Sequence, residues 1–277
     1  MKNRRRQISR VLTMVLMIIL SGVFIFPFFW LVRGSFMRSI EIFTMPMKWL
    51  PDRLMVENYV QALTKIPFLT YFKNTAIIVT FNVIGCVLSS SFAAFGFSRI
   101  RFRGRNFWFA VMMSTMMIPD ISLLIPQFIG WKTLGAYDTF YPLIVPAFFS
   151  KALFVFLIRQ FFSTIPKAYD EAAFIDGANY MTIYARIMLP LSKPVLATIG
   201  VFTFMFQWND FFGPLIYLSS SDKYTLSLGL QSFLGQYTSQ WNLLMAASSL
   251  IILPMILLFF FAQRFFIEGI AFTGLKG

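Results

Sequence analysis

Six long apolar runs constrain this chain more than any other feature, at about 11–32, 72–97, 107–128, 140–162, 195–218 and 241–266. About 20 apolar residues at 1.5 Å each cross the roughly 30 Å hydrocarbon core of a bilayer. In hydrocarbon, backbone N–H and C=O groups must find partners within their own segment, so each run is expected as a helix. Hydrophobic residues make up 58% of the chain and charged residues 13%, against about 45–50% and about 25% in soluble domains. The sequence therefore predicts an all-α integral membrane protein with six transmembrane helices, residues 1–277 forming a single transmembrane domain.

The net charge of +13 sits largely at the ends of the apolar runs. That placement reads as a topology signal and argues against nucleic acid as a partner. Lys2, Arg4, Arg5, Arg6 and Arg10 precede the first run. This run is too long for a signal peptide and lacks a small-x-small cleavage site. It is read as a span that starts in the cytoplasm, with a kink expected at Pro27. Arg99, Arg101, Arg103 and Arg105 make a short basic loop, as expected of a cytoplasmic one. Both termini, the 98–106 loop and the 163–194 segment then fall inside. The 33–71, 130–139 and 219–240 loops fall outside, and Glu57 to Lys65 reads as a short interfacial helix. The single cysteine, Cys86, rules out an internal disulfide framework, and the absence of histidine excludes imidazole catalysis. No metal site is expected.

The 163–194 segment is a polar island between apolar runs. Pro166 suits a first helical turn, and Thr164 is a candidate cap. Asp170 and Glu171 complement the dipole near the helix start. Gly177 suits a C-terminal stop, and Asn179 can open a second helix carrying Met181, Tyr184, Ile187 and Met188 at helical spacing. Leu189-Pro190 is expected to end it. Ala172 and Ala173 thin one side of the first helix, and Glu171 and Asp176 frame it with negative charge. Two readings stay open on these grounds: a helix packed on its own bundle, or one seated in a partner's groove lined by arginine or lysine.

Glu171, Ala172, Ala173, Asp176, Gly177, Ala178 and Pro190 resemble, in spacing and kind, the EAA loop of permease subunits of ABC importers. The resemblance implies a type I ABC importer permease fold whose cytoplasmic coupling helix docks on an ATPase. On that basis Tyr169, Asp170, Glu171, Ala172, Ala173, Phe174, Asp176, Gly177 and Ala178 are the expected coupling residues. Other segments resemble the sugar-importing branch: Arg159-Gln160-Phe161-Phe162, Phe204 with Trp208-Asn209-Asp210-Phe211 and Pro214-Leu215, Tyr224-Thr225-Leu226, and Gln263-Arg264-Phe265-Phe266 with Glu268-Gly269. Ser98-Arg99, Phe102-Arg103-Gly104-Arg105 and the Lys276-Gly277 ending fit as well. The chain is similar to the second, shorter permease of a maltose-type system. The resemblance implies a second permease, two ATPase subunits and an extracytoplasmic solute-binding protein as partners. It also implies a sugar substrate and a place in the cell membrane.

No G-x-x-x-x-G-K-[ST] phosphate loop occurs, so the chain is not expected to be an enzyme or to bind a cofactor. ATP and Mg are expected on the partner ATPases. Trp208, Asn209, Asp210, Asp120 and Lys151 are the candidate pathway residues, since charged groups in spans tend to face a cavity or a partner. Each has a second reading. Trp208 stacks a sugar ring or packs. Asn209 and Asp210 meet substrate or cap a helix. Asp120 and Lys151 pair between spans, or Lys151 lines the cavity and favours an acidic sugar. Asp120 and Lys151 depart from the small or neutral residues of the family, which leaves the substrate open. The 219–240 loop resembles one that reaches into the binding protein, with Tyr224, Gln231, Gly235 and Gln236 as contacts, or else it is a flexible connector. A permease for another polar solute, or a secondary transporter with its own ion-coupling residues, are the alternatives.

Overall fold

A computed structural model describes residues 2–235 and 239–274, with side chains over 10–235 and 239–263. Among these residues the chain is helical, apart from an isolated antiparallel bridge between Leu234 and Ser239. In chain order come α1 (Lys2–Ser35), α2 (Ser39–Ile42), α3 (Glu57–Lys65) and α4 (Phe68–Arg99). The middle of the chain forms α5 (Arg105–Ser114), α6 (Asp120–Thr133), α7 (Tyr141–Ile144), α8 (Ala152–Thr164) and α9 (Ala168–Ile175). The rest is α10 (Tyr180–Ile183), α11 (Leu189–Leu191), α12 (Lys193–Trp208), α13 (Phe212–Tyr217), α14 (Leu226–Leu230) and α15 (Trp241–Gly274).

Four helical stretches are long and apolar enough to cross a membrane: Arg10–Ser35, Phe68–Arg99, Tyr141–Thr164 and Trp241–Gln263. Counting each of two bent pairs as one span gives six: Arg105–Met117 with Asp120–Thr133, bent by 96°, and Tyr180–Leu191 with Lys193–Trp208, bent by 78°. The first bend is caused by Pro119, which forces Ile118 into extended backbone (φ −86°, ψ 117°). Pro27, by contrast, leaves α1 continuous. The run expected at 195–218 is not one helix. α12 stops at Trp208, and Asp210 Oδ1 accepts from Gly213 N (3.1 Å) to start α13. Lys151, expected mid-span, lies just before α8 in extended backbone, after Ser150 at φ +66°.

The chain forms two compact units, Met1–Phe68 with Gly229–Leu253, and Leu69–Leu228 with Pro254–Gly277. In the first, buried Asn58 is the hub. Its Nδ2 donates to Ser35 O (2.8 Å) and Met37 O (2.9 Å), and its Oδ1 accepts from Asn242 (2.8 Å). These bonds satisfy three of the four hydrogen bonds an asparagine side chain can form. Buried Arg33 stacks over Trp30 at 4.2 Å and donates to Lys48 O.

In the second unit, Phe95, Phe154, Val155, Ile158, Phe162, Ile183, Tyr184, Met188 and Ile199 form a core joining α4, α8, α12 and the 180–191 segment. Toward the other end of α4, Asn82 donates to Leu143 O (2.8 Å) and accepts from Gln207 (2.9 Å). Thr75 Oγ1 accepts from Leu226 N (2.9 Å), and Asn74 donates to Asp222 O and Tyr224 O. Polar side chains on an otherwise apolar α4 thus hold the loops that must pass over it.

Candidate functional site

The polar island is built on the second unit's core. α8 ends because Pro166 holds Ile165 in extended backbone (φ −77°, ψ 124°). Thr164 does not cap α9. Its hydroxyl donates to Phe161 O (2.8 Å) as the last residue of α8. The Arg99 guanidinium, at the end of α4, takes over that turn. Nη2 donates to Ile165 O (2.7 Å), and Nε lies 3.0 Å from Asp170 Oδ2.

α9 stops where the glycine was expected. Gly177 has φ +81°, a backbone region that costs residues with a Cβ. Ala178 N donates to Ala173 O (2.9 Å) and Gly177 N to Phe174 O (3.0 Å), the paired bonds of a Schellman motif. Asn179 then opens α10, its Oδ1 accepting from Thr182 N (2.9 Å). Instead of ending at Leu189-Pro190, the helical path continues through a π-turn, Tyr184–Met188, to Leu191. Tyr184 fastens this segment to α4, with its hydroxyl 2.8 Å from Ser91 Oγ and its ring against Phe92 and Phe95. Tyr180 packs edge-on against Phe174, which ties α9 to α10.

The residues expected to couple divide into two faces. Asp170 and Ala173, one turn apart, are buried, with Ala173 inside the core. Both were expected at a partner surface, and both instead hold α9 to its own bundle. A 3.6-residue period requires such an inner face on any helix that packs. Tyr169, Glu171, Ala172, Phe174, Asp176 and Gly177 are exposed, and Ala178 is half-buried. Ile175, at the tip, is 87% exposed. The outward face therefore carries two carboxylates and three large apolar or aromatic side chains.

The other candidates stand apart from this face. Trp208 is 3% exposed, stacked on Phe204 at 5.2 Å and edge-on to Phe72. It packs, and one ring face is already covered. Asn209 donates back to Met205 O (2.8 Å), while Asp210 caps α13. Gly213 lies so close that a Cβ there would collide with Asp210 Oδ2. Asp120, exposed at the first turn of α6, is not paired with Lys151. Among the described residues neither forms an ion pair. Tyr224 is half-buried against Tyr71, whereas Gln231 and Gly235 are exposed. Gln236 lies outside the described residues.

Two features carried no sequence signal as function. Arg99 was legible as part of a basic loop and of a family-like segment, but not as the partner of Asp170. Asp138 sits at φ +56° between α6 and α7 and accepts from Ser219 N (2.9 Å), Ser220 N (3.0 Å), Ser220 Oγ (2.5 Å) and Lys223 Nζ (2.8 Å). These donors hold its carboxyl well below the usual carboxylate range.

Residues 85–271 match the family described as binding-protein-dependent transport system inner membrane component. The chain is 33% identical to the arabinooligosaccharides transport system permease protein AraQ of Halalkalibacterium halodurans, over 99% of this chain and 100% of the relative. It is 32% identical to the probable starch degradation products transport system permease protein AmyC of Thermoanaerobacterium thermosulfurigenes, over 99% of each. It is 30% identical to the trehalose/maltose transport system permease protein MalG of Thermococcus litoralis, again over 99% of each. The fold is similar to a chain in a crystal structure of a bacterial ABC transporter involved in the import of the acidic polysaccharide alginate. That match has a TM-score of 0.83 and 24% identity, covering 95% of this chain and 98% of the other.

Proposed function

The chain belongs to the family of inner membrane components of binding-protein-dependent transport systems, and on that footing we propose that it forms half of the pathway of an ATP-driven sugar or oligosaccharide importer. Its relatives named for arabinooligosaccharides, starch degradation products and trehalose/maltose share one substrate class, carbohydrates. A second permease supplies the other half of the pathway. An extracytoplasmic binding protein delivers the sugar, and the 219–240 loop, with Tyr224, Gln231, Gly235 and Gln236, is its proposed contact. Two ATPase subunits hold ATP and Mg and do the hydrolysis. Both termini and α9 face the cytoplasm in this arrangement.

The outward face of α9 carries the proposal. Glu171 and Asp176 offer charge, and Tyr169, Phe174 and Ile175 offer apolar area, while Asp170 and Ala173 root the helix in the bundle. A large apolar side chain left 87% exposed at the tip of a helix suits a partner's pocket. The Arg99 contacts with Ile165 O and Asp170 tie the helix to the ends of α4 and α8, so a pull on it is passed to those helices. Nucleotide-driven closure of the ATPases then biases the permeases between inward-open and outward-open states.

The test is coupling in proteoliposomes. Glu171→Lys should leave the chain in the membrane and separate ATP hydrolysis from uptake. Ile175→Asp should weaken retention of the ATPase by roughly tenfold or more, as expected of a buried anchor. Normal uptake in Glu171→Lys with undiminished ATPase retention in Ile175→Asp would contradict the docking role.

A further inference from the structure

At the end of the bundle that carries α9, the ends of α4, α5 and α8 enclose a cavity of about 320 Å³. Its lining includes Ser98, Arg99, Arg105, Arg159, Ser163 and Lys167. A neighbouring cavity of about 460 Å³ shares Arg105 and adds Arg101, Phe102 and Phe107. Among the described residues, Arg99 alone of these cations has an ion pair, with Asp170. Among the described residues, Arg105 and Arg159 have no ion-pair partner, and the Arg105 charge repels Arg159. Arg159 is held in place nonetheless. Its guanidinium lies 3.9 Å over the Phe109 ring, and its Nε donates to Phe97 O (3.4 Å). Stacking on an aromatic ring fixes the plane of the guanidinium and leaves its Nη donors for a ligand. Beside the cavity, Phe107 is 64% exposed and Trp108 57% exposed. Aromatic side chains so placed at the end of an apolar helix mark headgroup depth.

Two like charges lining one cavity are stabilised when an anion sits between them, and basic pockets between helices at the cytoplasmic interface suit acidic lipid headgroups. We propose that Arg105 and Arg159 form a seat for a phosphate oxyanion, supplied in the bilayer by the headgroup of an anionic phospholipid. The seat borders Pro166 and Lys167, at the root of α9, so its occupant lies beside the joint that transmits motion. The inference rests on the cytoplasmic placement proposed above.

Native mass spectrometry of the assembled transporter tests it, with phosphatidylglycerol, phosphatidylcholine or inorganic phosphate added separately. The intact protein should retain phosphatidylglycerol over phosphatidylcholine. Arg105→Gln with Arg159→Gln should lower that retention roughly tenfold or more. Arg105→Lys with Arg159→Lys, which keeps both charges but gives up the stacked guanidinium, should lower it less than the glutamine pair. Competition by millimolar inorganic phosphate supports the oxyanion seat but assigns it to a soluble anion. Unchanged phosphatidylglycerol retention in the glutamine pair overturns the proposal. So does equal loss in the lysine pair, or loss of the ATPase alone, which would make the cavity part of the docking surface. Labelling of Arg103→Cys from each side of sealed vesicles reads the orientation independently, so failure of the orientation is told apart from failure of the seat.

Discussion

The Asp170–Arg99 joint at the root of α9 and the Asp138 staple between the 134–140 and 218–224 loops each use one carboxylate to hold a bend. The two carboxylates live in different surroundings. The side chains of Asp170 and Arg99 are 12% and 4% exposed, and Asp170 Oδ1 has no hydrogen-bond partner. Asp138 and Lys223 are 20% and 37% exposed, and Asp138 gathers two backbone N–H groups, a hydroxyl and an ammonium. Burial pushes the Asp170 carboxyl up in spite of Arg99, while the donors around Asp138 pull it down. One joint is desolvated and under-satisfied; the other is wet and fully satisfied. A joint of the first kind is sensitive to the loss of either partner, because each is the other's main compensation. One of the second kind degrades by steps.

The largest effect should come from removing one partner of the buried pair. Arg99→Ala leaves Asp170 without its cation and Ile165 O without its donor. Breaking a buried pair costs about 3–5 kcal/mol, and the lower end applies here, since Asp170 keeps some access to water and can take up a proton. Arg99→Leu with Asp170→Leu removes both charges and should recover most of that loss. Thermal unfolding of the purified transporter measures stability, and the ratio of ATP hydrolysed to sugar imported measures coupling. The double variant should regain stability before coupling, because the apolar pair packs without donating to Ile165 O. Additive losses would show that the two residues act independently and that α9 is rooted elsewhere.

Much of this was legible in the residues. Apolar runs and basic loop ends predicted the helices, because hydrocarbon leaves the backbone few alternatives. Gly177 and Asn179 predicted the stop and restart around the island, because φ > 0 and an N-cap acceptor are local demands. Where meaning depended on which side faces the bundle, the reading failed. Ala172 and Ala173 are adjacent and alike, yet only Ala172 is exposed. The spacing of Asp170 and Ala173 was a usable signal for an inner face, but an aspartate on it looked polar and therefore outward until Arg99 was seen opposite. Arg99 and Asp170 are 71 positions apart, and Asp138 and Lys223 are 85 apart. No local pattern joins such pairs. Trp208 stayed open between stacking a sugar and packing for the same reason, since Phe72, one of the two rings that cover it, comes from a distant helix.

A middle-sized effect is expected at Asp138. Asp138→Ala removes the shared acceptor and leaves a Cβ residue without a polar side chain at φ +56°. Water reaches the freed donors, so the loss should be about 1–2 kcal/mol rather than the sum of the bonds. Asp138→Gly relieves the backbone but not the lost acceptor. Asp138→Asn tolerates the left-handed conformation, keeps a carbonyl acceptor and gives up only the exposed ion pair. Hydrogen exchange of the 218–224 amides should therefore speed up least for Asn, more for Gly and most for Ala. Equal acceleration in all three would reduce the staple to its Lys223 ion pair.

Acidification sets the two joints against each other and should give the smallest effect. The folded Asp170 carboxyl is raised chiefly by burial, with Glu171 adding to the rise and Arg99 and Lys167 opposing it. Its favourable contribution is complete below the unfolded value and is lost as pH rises through the folded value. Lowering pH from about 7 into the raised range should therefore stabilise the native chain relative to Asp170→Asn. Asp138 is depressed by Lys223, Ser220 and Ser219, so its contribution is complete above the unfolded value and is lost only as pH falls through the folded one. The native chain should thus show no change relative to Asp138→Asn over the range in which Asp170 titrates, and should lose ground to it only in stronger acid. Melting temperatures of the three proteins against pH separate these outcomes. A native-minus-Asp170→Asn difference that shrinks on acidification would mean that Arg99 outweighs burial, which would make the α9 joint a firmly ionised pair like the outer one.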